Sequence, residues 1–444
     1  MSGRTAISRR RVLAALAAAA AVVPGNARAL RLFNPCLDPV PPEPLASHEI
    51  VARAFDGIDF SKVIDAHVHL LGAGGGPDGA WIGDQMLRLR NPLLHARYRF
   101  FLNASCVQAG EDASRAFLDR LLGCHRAAAP GSRLMLLAFD QVYDTQGRAR
   151  PETSAFHVSD AYARSVAARY PRELEWAASV HPYRTDAVEA LDAAVAGGAR
   201  AIKWLPNAMG IDPASPRCDS FYEALARHRI PLLTHGGRER AVKGVNAGAL
   251  GNPLRLRRAL DHGVRVIVAH CASFGSGVDL DAGDGGPVVP NVDLFARLMD
   301  DSRYEPFLTG DISALMQSNR TAVALGKVLE RTEWHDRLLN GSDYPLPGVP
   351  ALFDLDDMVE HGFLPADAVP VLESIQDHNP LMFDFVLKRT VTRNGVRFAP
   401  RVFETARHLL PPGDASADGN ACARACRGPN PRGPHRWSVN GKLV

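Results

Sequence analysis

VIDAHVHL, residues 63–70, sets two histidines two positions apart inside an otherwise apolar run. A short apolar run of this kind reads as a buried strand. Side chains two apart on a strand share a face, so Asp65, His67 and His69 are expected on one side and Ala66, Val68 and Leu70 on the other. Burying two imidazoles on one face is costly unless something polar holds them. A shared divalent metal ion meets that need.

The pattern around this stretch repeats. Further apolar runs are SRLMLLAFD (132–140), LEWAASVHP (174–182), ARAIKWLP (199–206), IPLLTHGG (230–237), VRVIVAHCAS (264–273), PFLTGDIS (306–313) and LLNGSDYP (338–345). Between them, DAVEALDAAVAGG (186–198), SFYEALARHR (220–229) and PLRLRRALDHG (253–263) carry helical periodicity. Eight strands alternating with helices predict an α/β fold, a (β/α)8 TIM barrel over residues 60–390. A doubly wound open sheet is the competing topology. It needs a phosphate-binding loop after the first strand, and GAGGG (72–76) has the wrong spacing.

Two segments interrupt the repeat. Residues 71–131 form an insertion after the first strand, in which RFFLNASCV (99–107) is read as helix or cap. Residues 271–305, with GSGVDLDAGDGG, are read as a long loop over the active face and a candidate lid. Residues 30–59 are expected to be extended, 391–410 to form a small hairpin turning at Asn394-Gly395, and 411–444 to be a disordered tail.

The 444 residues are 46% hydrophobic and 22% charged, with 51 basic against 48 acidic side chains. A net charge of +3 gives no reason to expect a nucleic-acid or membrane-surface partner. Residues 1–29 read as an export signal: SRRRVL (8–13) has the twin-arginine pattern, an apolar run reaches Val23, and Ala27-Arg28-Ala29 fits a cleavage site. The twin-arginine (Tat) export machinery is then a partner, and the mature chain is periplasmic or secreted. The apolar run falls short of the roughly 20 residues of a membrane span. Cys36 lacks the small residues of a lipid-attachment site, so no membrane anchor is expected. Seven cysteines show no disulfide framework.

Polar residues able to bind metal or move protons recur at strand ends: His67 and His69, His181, Lys203, His235, His270 and Asp343. In a barrel those ends collect on the catalytic face. His181 and Arg184 are placed on the same rim, where with Lys203 they would grip a substrate carboxylate. The histidines at 95, 125, 157, 228, 262, 335 and 361 lie in helical or loop stretches and are read as solvated.

HVH, HGG, AHC and GSDYP, in that order, resemble the metal-dependent amidohydrolase superfamily. WAASVHPYRTDAVEAL, GARAIKWLP and HNPLMFDFVLKR (378–389) look like its amidohydrolase-related branch, which also contains decarboxylases and lactonases. The resemblance implies His67, His69, His235 and Asp343 as metal ligands. It implies for His270 either a place on a second metal or a role in polarising the reacting group. Lys203 occupies the strand whose lysine, when carboxylated, bridges two ions in the binuclear subtype; one ion is expected here. His and carboxylate ligands suit Zn²⁺, with Mn²⁺ or Fe²⁺ as alternatives. The expected activity is hydrolysis of an amide, lactone or ester of a small, carboxylated molecule, with Asp343 carrying the proton and Asp65 supporting a histidine from behind. A non-oxidative decarboxylase and a non-catalytic small-molecule-binding barrel are the alternatives.

Overall fold

A computed structural model of the chain describes residues 31–410 apart from 73–78, 89–90, 109–111, 239–241, 243–244, 246–247 and 284. The export signal, the tail with Cys422 and Cys426, and most of GAGGG lie outside the described residues.

Each of the eight apolar runs yields one parallel strand. They are β1 (Ile64–His69), β2 (Arg133–Leu137), β3 (Leu174–Ala177), β4 (Ile202–Trp204), β5 (Leu232–His235), β6 (Val266–Ala269), β7 (Leu308–Asp311) and β8 (Leu338–Leu339). Ladders join β1 to β3 and β4 to β8 in chain order. Parallel bridges Ala178–Ile202 and Val68–Tyr344 close the two seams, the second backed by His69 N–H donating to the Tyr344 carbonyl at 3.0 Å. The strands therefore complete a ring.

Side chains from every strand but β4 and β7, with Ala201 just before β4, fill it: Ile64, Ala66, Met135, Leu137, Ala177, Ala201, Leu233, Ile267, Ala269 and Leu339. The alternation expected for β1 fails at its first half. Ile64 and Ala66 point inward, while Asp65 points out toward Asp384 and His125. The register shifts between Asp65 and Val68, and one extra residue in a strand reverses which face follows. Beyond the shift His67 and His69 point inward as expected.

The outer helices include α1 (Pro92–Ala104), α2 (Ala113–Ala128), α3 (Asp160–Arg169), α4 (Ala187–Ala196), α5 (Asp219–His228), α6 (Asn291–Met299), α7 (Ala368–His378) and α8 (Pro380–Thr390). Their starts follow capping chemistry. Asp112 accepts from Ser114 and Arg115 N–H before α2, and Asn379 accepts from Met382 N–H with Pro380 opening α8. The α1 helix confirms that RFFLNA is helical. PLRLRRALDHG breaks into a 3₁₀ turn, Pro253–Leu256, and a short helix, Arg257–Asp261. No helix among the described residues is long and apolar enough to cross a membrane.

The extensions differ from expectation in three places. The segment before β1 contains a helix, Glu49–Phe55, capped by the His48 ring, and Cys36 is disulfide-bonded to Cys106 beyond α1. The 271–305 segment holds an antiparallel hairpin, Ser276–Val278 with Val288–Pro290, and then α6, so it is not one open loop. Its aspartates 279 and 281 are ion-paired with Arg297, and Asp281 also with Arg257, which accounts for the acidic run. The expected hairpin after 390 is one bridge, Arg393–Val396, around Asn394 and Gly395, both at positive φ. Beyond this bridge the chain forms a plug: Ala406, Leu409 and Leu410 join the barrel interior, and Ile64 N–H donates to Thr405 Oγ1 at 2.9 Å.

Candidate active site

The inward residues at the C-terminal ends of the strands line one cavity of about 460 Å³, and His67, His69, Lys203, His235, His270 and Asp343 all contribute to its wall. His69 Nε2 lies 3.0 Å and His67 Nε2 3.6 Å from Asp343 Oδ1. Ligating atoms of these three residues fall within 4.8 Å of one another, which can hold a metal ion. The His270 ring is centred 5.1 Å from His67 and 5.2 Å from His235.

Local backbone explains these positions. In HGG, Gly237 takes φ 85° just after His235, and a side chain on Gly236 would meet Val268 at 2.7 Å. A side chain on Gly341 would meet His67 Cβ at 2.7 Å, so glycine there lets the end of β8 approach β1. His270 and Asp343 themselves sit at φ 57° and 60°. Left-handed backbone at non-glycine residues is strained and concentrates at functional positions.

The chain tunes its imidazoles through two residues that the strand-end motifs do not single out. His67 Nδ1 lies 2.6 Å from Asp311 Oδ2 at the end of β7. The carboxylate accepts, so Nδ1 carries the hydrogen and Nε2 turns its lone pair to the cavity, where Lys203 Nζ stands 3.1 Å away. Ser313 donates to Asp311 from both N–H and Oγ, at 2.6 and 2.8 Å. Its carbonyl accepts from His270 Nδ1 at 3.0 Å, which leaves the other His270 nitrogen as a lone pair. The signal for Asp311 was present, since PFLTGDIS ends its strand in an acid as LLNGSDYP does.

Burial lowers the pKa of His67, His235 and His270; Lys203 reinforces it for the first two and Arg320 for the last two. Burial would raise Asp343, but His270, the His69 hydrogen bond and His67 outweigh it and hold the carboxyl well below the usual range. Asp65 does not support a histidine ring. It accepts the backbone N–H of His67 at 3.1 Å and of Ser342 at 2.8 Å, and burial pushes its pKa to about 6.

His181 and Arg184 are not brought to this cavity. β3 ends at Ala177, so His181 stands four residues beyond it and fastens a loop: Nε2 bonds the Met209 carbonyl at 3.1 Å and Nδ1 accepts Tyr183 N–H. Arg184 is paired with Asp186 at 2.7 Å and Asp140 at 3.3 Å. His125 and His335, expected in solvent, are buried, the latter bonded to the Leu329 carbonyl.

Burial pushes His181 down to about 4. An imidazole lowered in this way binds protons less readily in the folded chain than in the unfolded one. Its stabilisation is complete above the unfolded value of about 6.5 and is lost as pH falls toward 4, by up to about 3 kcal/mol. The melting temperature of His181→Gln is therefore expected to fall less between pH 7 and 4.5 than that of the unaltered chain. Parallel melting curves would show that another group controls acid sensitivity.

A family model described as Amidohydrolase matches residues 64–383. No curated protein matches the chain. Among solved structures it is similar to an uncharacterised TIM-barrel protein from Bordetella bronchiseptica at 17% identity, covering 70% of this chain and 99% of that one, with a TM-score of 0.44. A probable 2-pyrone-4,6-dicarboxylic acid hydrolase from Acinetobacter baumannii is 12% identical over 72% of this chain and 96% of that one, TM-score 0.38. A 5-carboxyvanillate decarboxylase from Sphingomonas paucimobilis is 11% identical over 71% and 95%, TM-score 0.38.

Proposed function

The chain belongs to the amidohydrolase family, and from that premise we propose that it is a metal-dependent hydrolase of an amide, lactone or ester bond. The observation that carries this reading is the convergence of the His67 and His69 Nε2 atoms on Asp343 Oδ1, with the far nitrogen of His67 locked by Asp311. That donor set fits a divalent cation, with His67, His69, His235 and Asp343 holding it. Zn²⁺, or Mn²⁺ or Fe²⁺, would supply a Lewis acid that brings the pKa of a water to about 7.

Asp343, kept ionised, takes a proton from the attacking water and passes it to the leaving nitrogen or oxygen. His270 holds that water through its lone pair, because its hydrogen is committed to Ser313. A neutral imidazole in that tautomer has no proton for the scissile carbonyl, so polarising it falls to Arg320, which lines the same cavity. A guanidinium there also suits a substrate carboxylate. That keeps non-oxidative decarboxylation as a second reading, distinguished by release of carbon dioxide.

Metal analysis of the purified chain tests the assignment. One ion per chain is expected, falling below about a tenth in His67→Ala and staying near one in Lys203→Ala. Two ions dropping to one or none in Lys203→Ala would replace the single ion by a lysine-bridged pair, and full metal in His67→Ala would remove His67 as a ligand. We also assign the chain to export through the twin-arginine route. The Cys36–Cys106 disulfide supports this, since such bonds persist in oxidising compartments.

A further inference from the structure

We propose that the substrate is an amide or ester with one long apolar acyl arm, in place of the small polar carboxylate expected from the sequence. This rests on the hydrolase reading above and names its substrate class.

The cavity wall is largely apolar, with Ile82, Leu94, Phe101, Phe156, Leu346 and Leu352 among its members. Besides the His/Asp cluster, its polar members include Lys203, Arg320, Gln317 and Asn319. Much of that wall is built by this chain's additions to the barrel. Ile82 pairs with Phe156 in a two-stranded ribbon, Leu94 and Phe101 lie on α1, and the disulfide ties the residues just beyond α1 to the N-terminal segment. The volume of about 460 Å³ lies within the range of sites that enclose a whole small-molecule ligand.

Charge completes the argument. Arg97 and Arg320 are the guanidinium groups among the described lining residues. Arg97 is exposed, whereas Arg320 is half-buried, bonded to Ser273 Oγ at 3.1 Å and stacked over Phe274. His181 and Arg184, expected with Lys203 to grip a substrate carboxylate, are engaged elsewhere. A carboxylate set against the aliphatic and aromatic part of this wall, beyond reach of Lys203 and Arg320, would be buried without a partner, which is strongly unfavourable. A methylene chain on the same wall gains about fourfold in affinity for each group removed from water.

Calorimetric titration of the metal-free full chain with hexanoate, dodecanoate and glutarate tests this without turnover. Dodecanoate is expected to bind one per chain, at least a hundredfold more tightly than hexanoate, with glutarate weaker than either. Phe101→Gln and Leu94→Gln, both half-buried wall positions, are each expected to weaken dodecanoate at least tenfold with metal loading unchanged. Affinity independent of chain length, or glutarate binding as well as dodecanoate, overturns the proposal. The metal-loaded chain is then offered dodecanoyl and succinyl p-nitroanilides. Cleavage of the succinyl compound with no chain-length effect on binding leaves the hydrolase reading and removes the acyl arm. Tight dodecanoate binding with neither anilide cleaved leaves the acyl site and removes the hydrolase reading.

Discussion

Asp343→Asn is expected to lower kcat by roughly two to four orders of magnitude, the usual contribution of a positioned proton carrier. The melting temperature should barely move. Asp343 sits at φ 60°, a conformation asparagine tolerates better than other uncharged residues, and its N–H bond to the His67 carbonyl at 2.8 Å does not involve the side chain. The amide keeps the shape of the carboxylate but loses its charge and its capacity to take a proton. Turnover, melting temperature and metal content measured together separate the outcomes. Near-full turnover would remove Asp343 from the proton path. Lost turnover with lost metal would assign it to holding the cation alone.

Lys388→Met is expected to destabilise the chain by about 3–5 kcal/mol, seen as a melting temperature lower by roughly 5–10 °C. Lys388 is fully buried on α8, and its ammonium donates to Asp384 and the Gly341 carbonyl at 2.6 Å and to Asn340 Oδ1 at 3.2 Å. Removing it leaves three acceptors, one of them a carboxylate, without a donor. Burial already pushes Asp384 up to about 7 against the pull of Lys388. A raised carboxyl favours the folded state below its unfolded pKa of about 3.9, and this is lost as pH rises toward 7. With no cation beside it the loss continues to higher pH, so the deficit of the variant should be larger at pH 8 than at pH 5. Lys388→Met/Asp384→Leu should recover most of the stability, since a buried pair can be exchanged for apolar residues. A deficit unchanged by the second substitution would place the cost in the Gly341 and Asn340 contacts.

The strands were legible because each is an apolar run too short for a helix, bounded by turn residues, and periodicity reports that directly. The site was legible most directly where the reactive residue lies on the strand or immediately after it: His235 ends β5 and enters the cavity. His181 and Asp343 each stand four residues past their strands, β3 and β8, where the loop decides the direction, and only Asp343 is returned to the cavity. The outward turn of Asp65 was hidden for a different reason. A register shift depends on how β2 pairs with β1, and nothing within VIDAHVHL records it. Cys36 and Cys106 meet because an N-terminal segment folds back over α1, a fact of space that their separation of 70 positions does not encode.

The plug at the foot of the ring has a consequence for biosynthesis. Thr405 meets Ile64 across 341 positions, and Ala406, Leu409 and Leu410 supply the last apolar volume inside the strands. A nascent chain emerging from the ribosome therefore carries an unsealed cylinder through nearly all of translation, because its first strand must wait for its final turn. A chain that stops before Thr405 lacks this seal and leaves the apolar foot of the ring in contact with water.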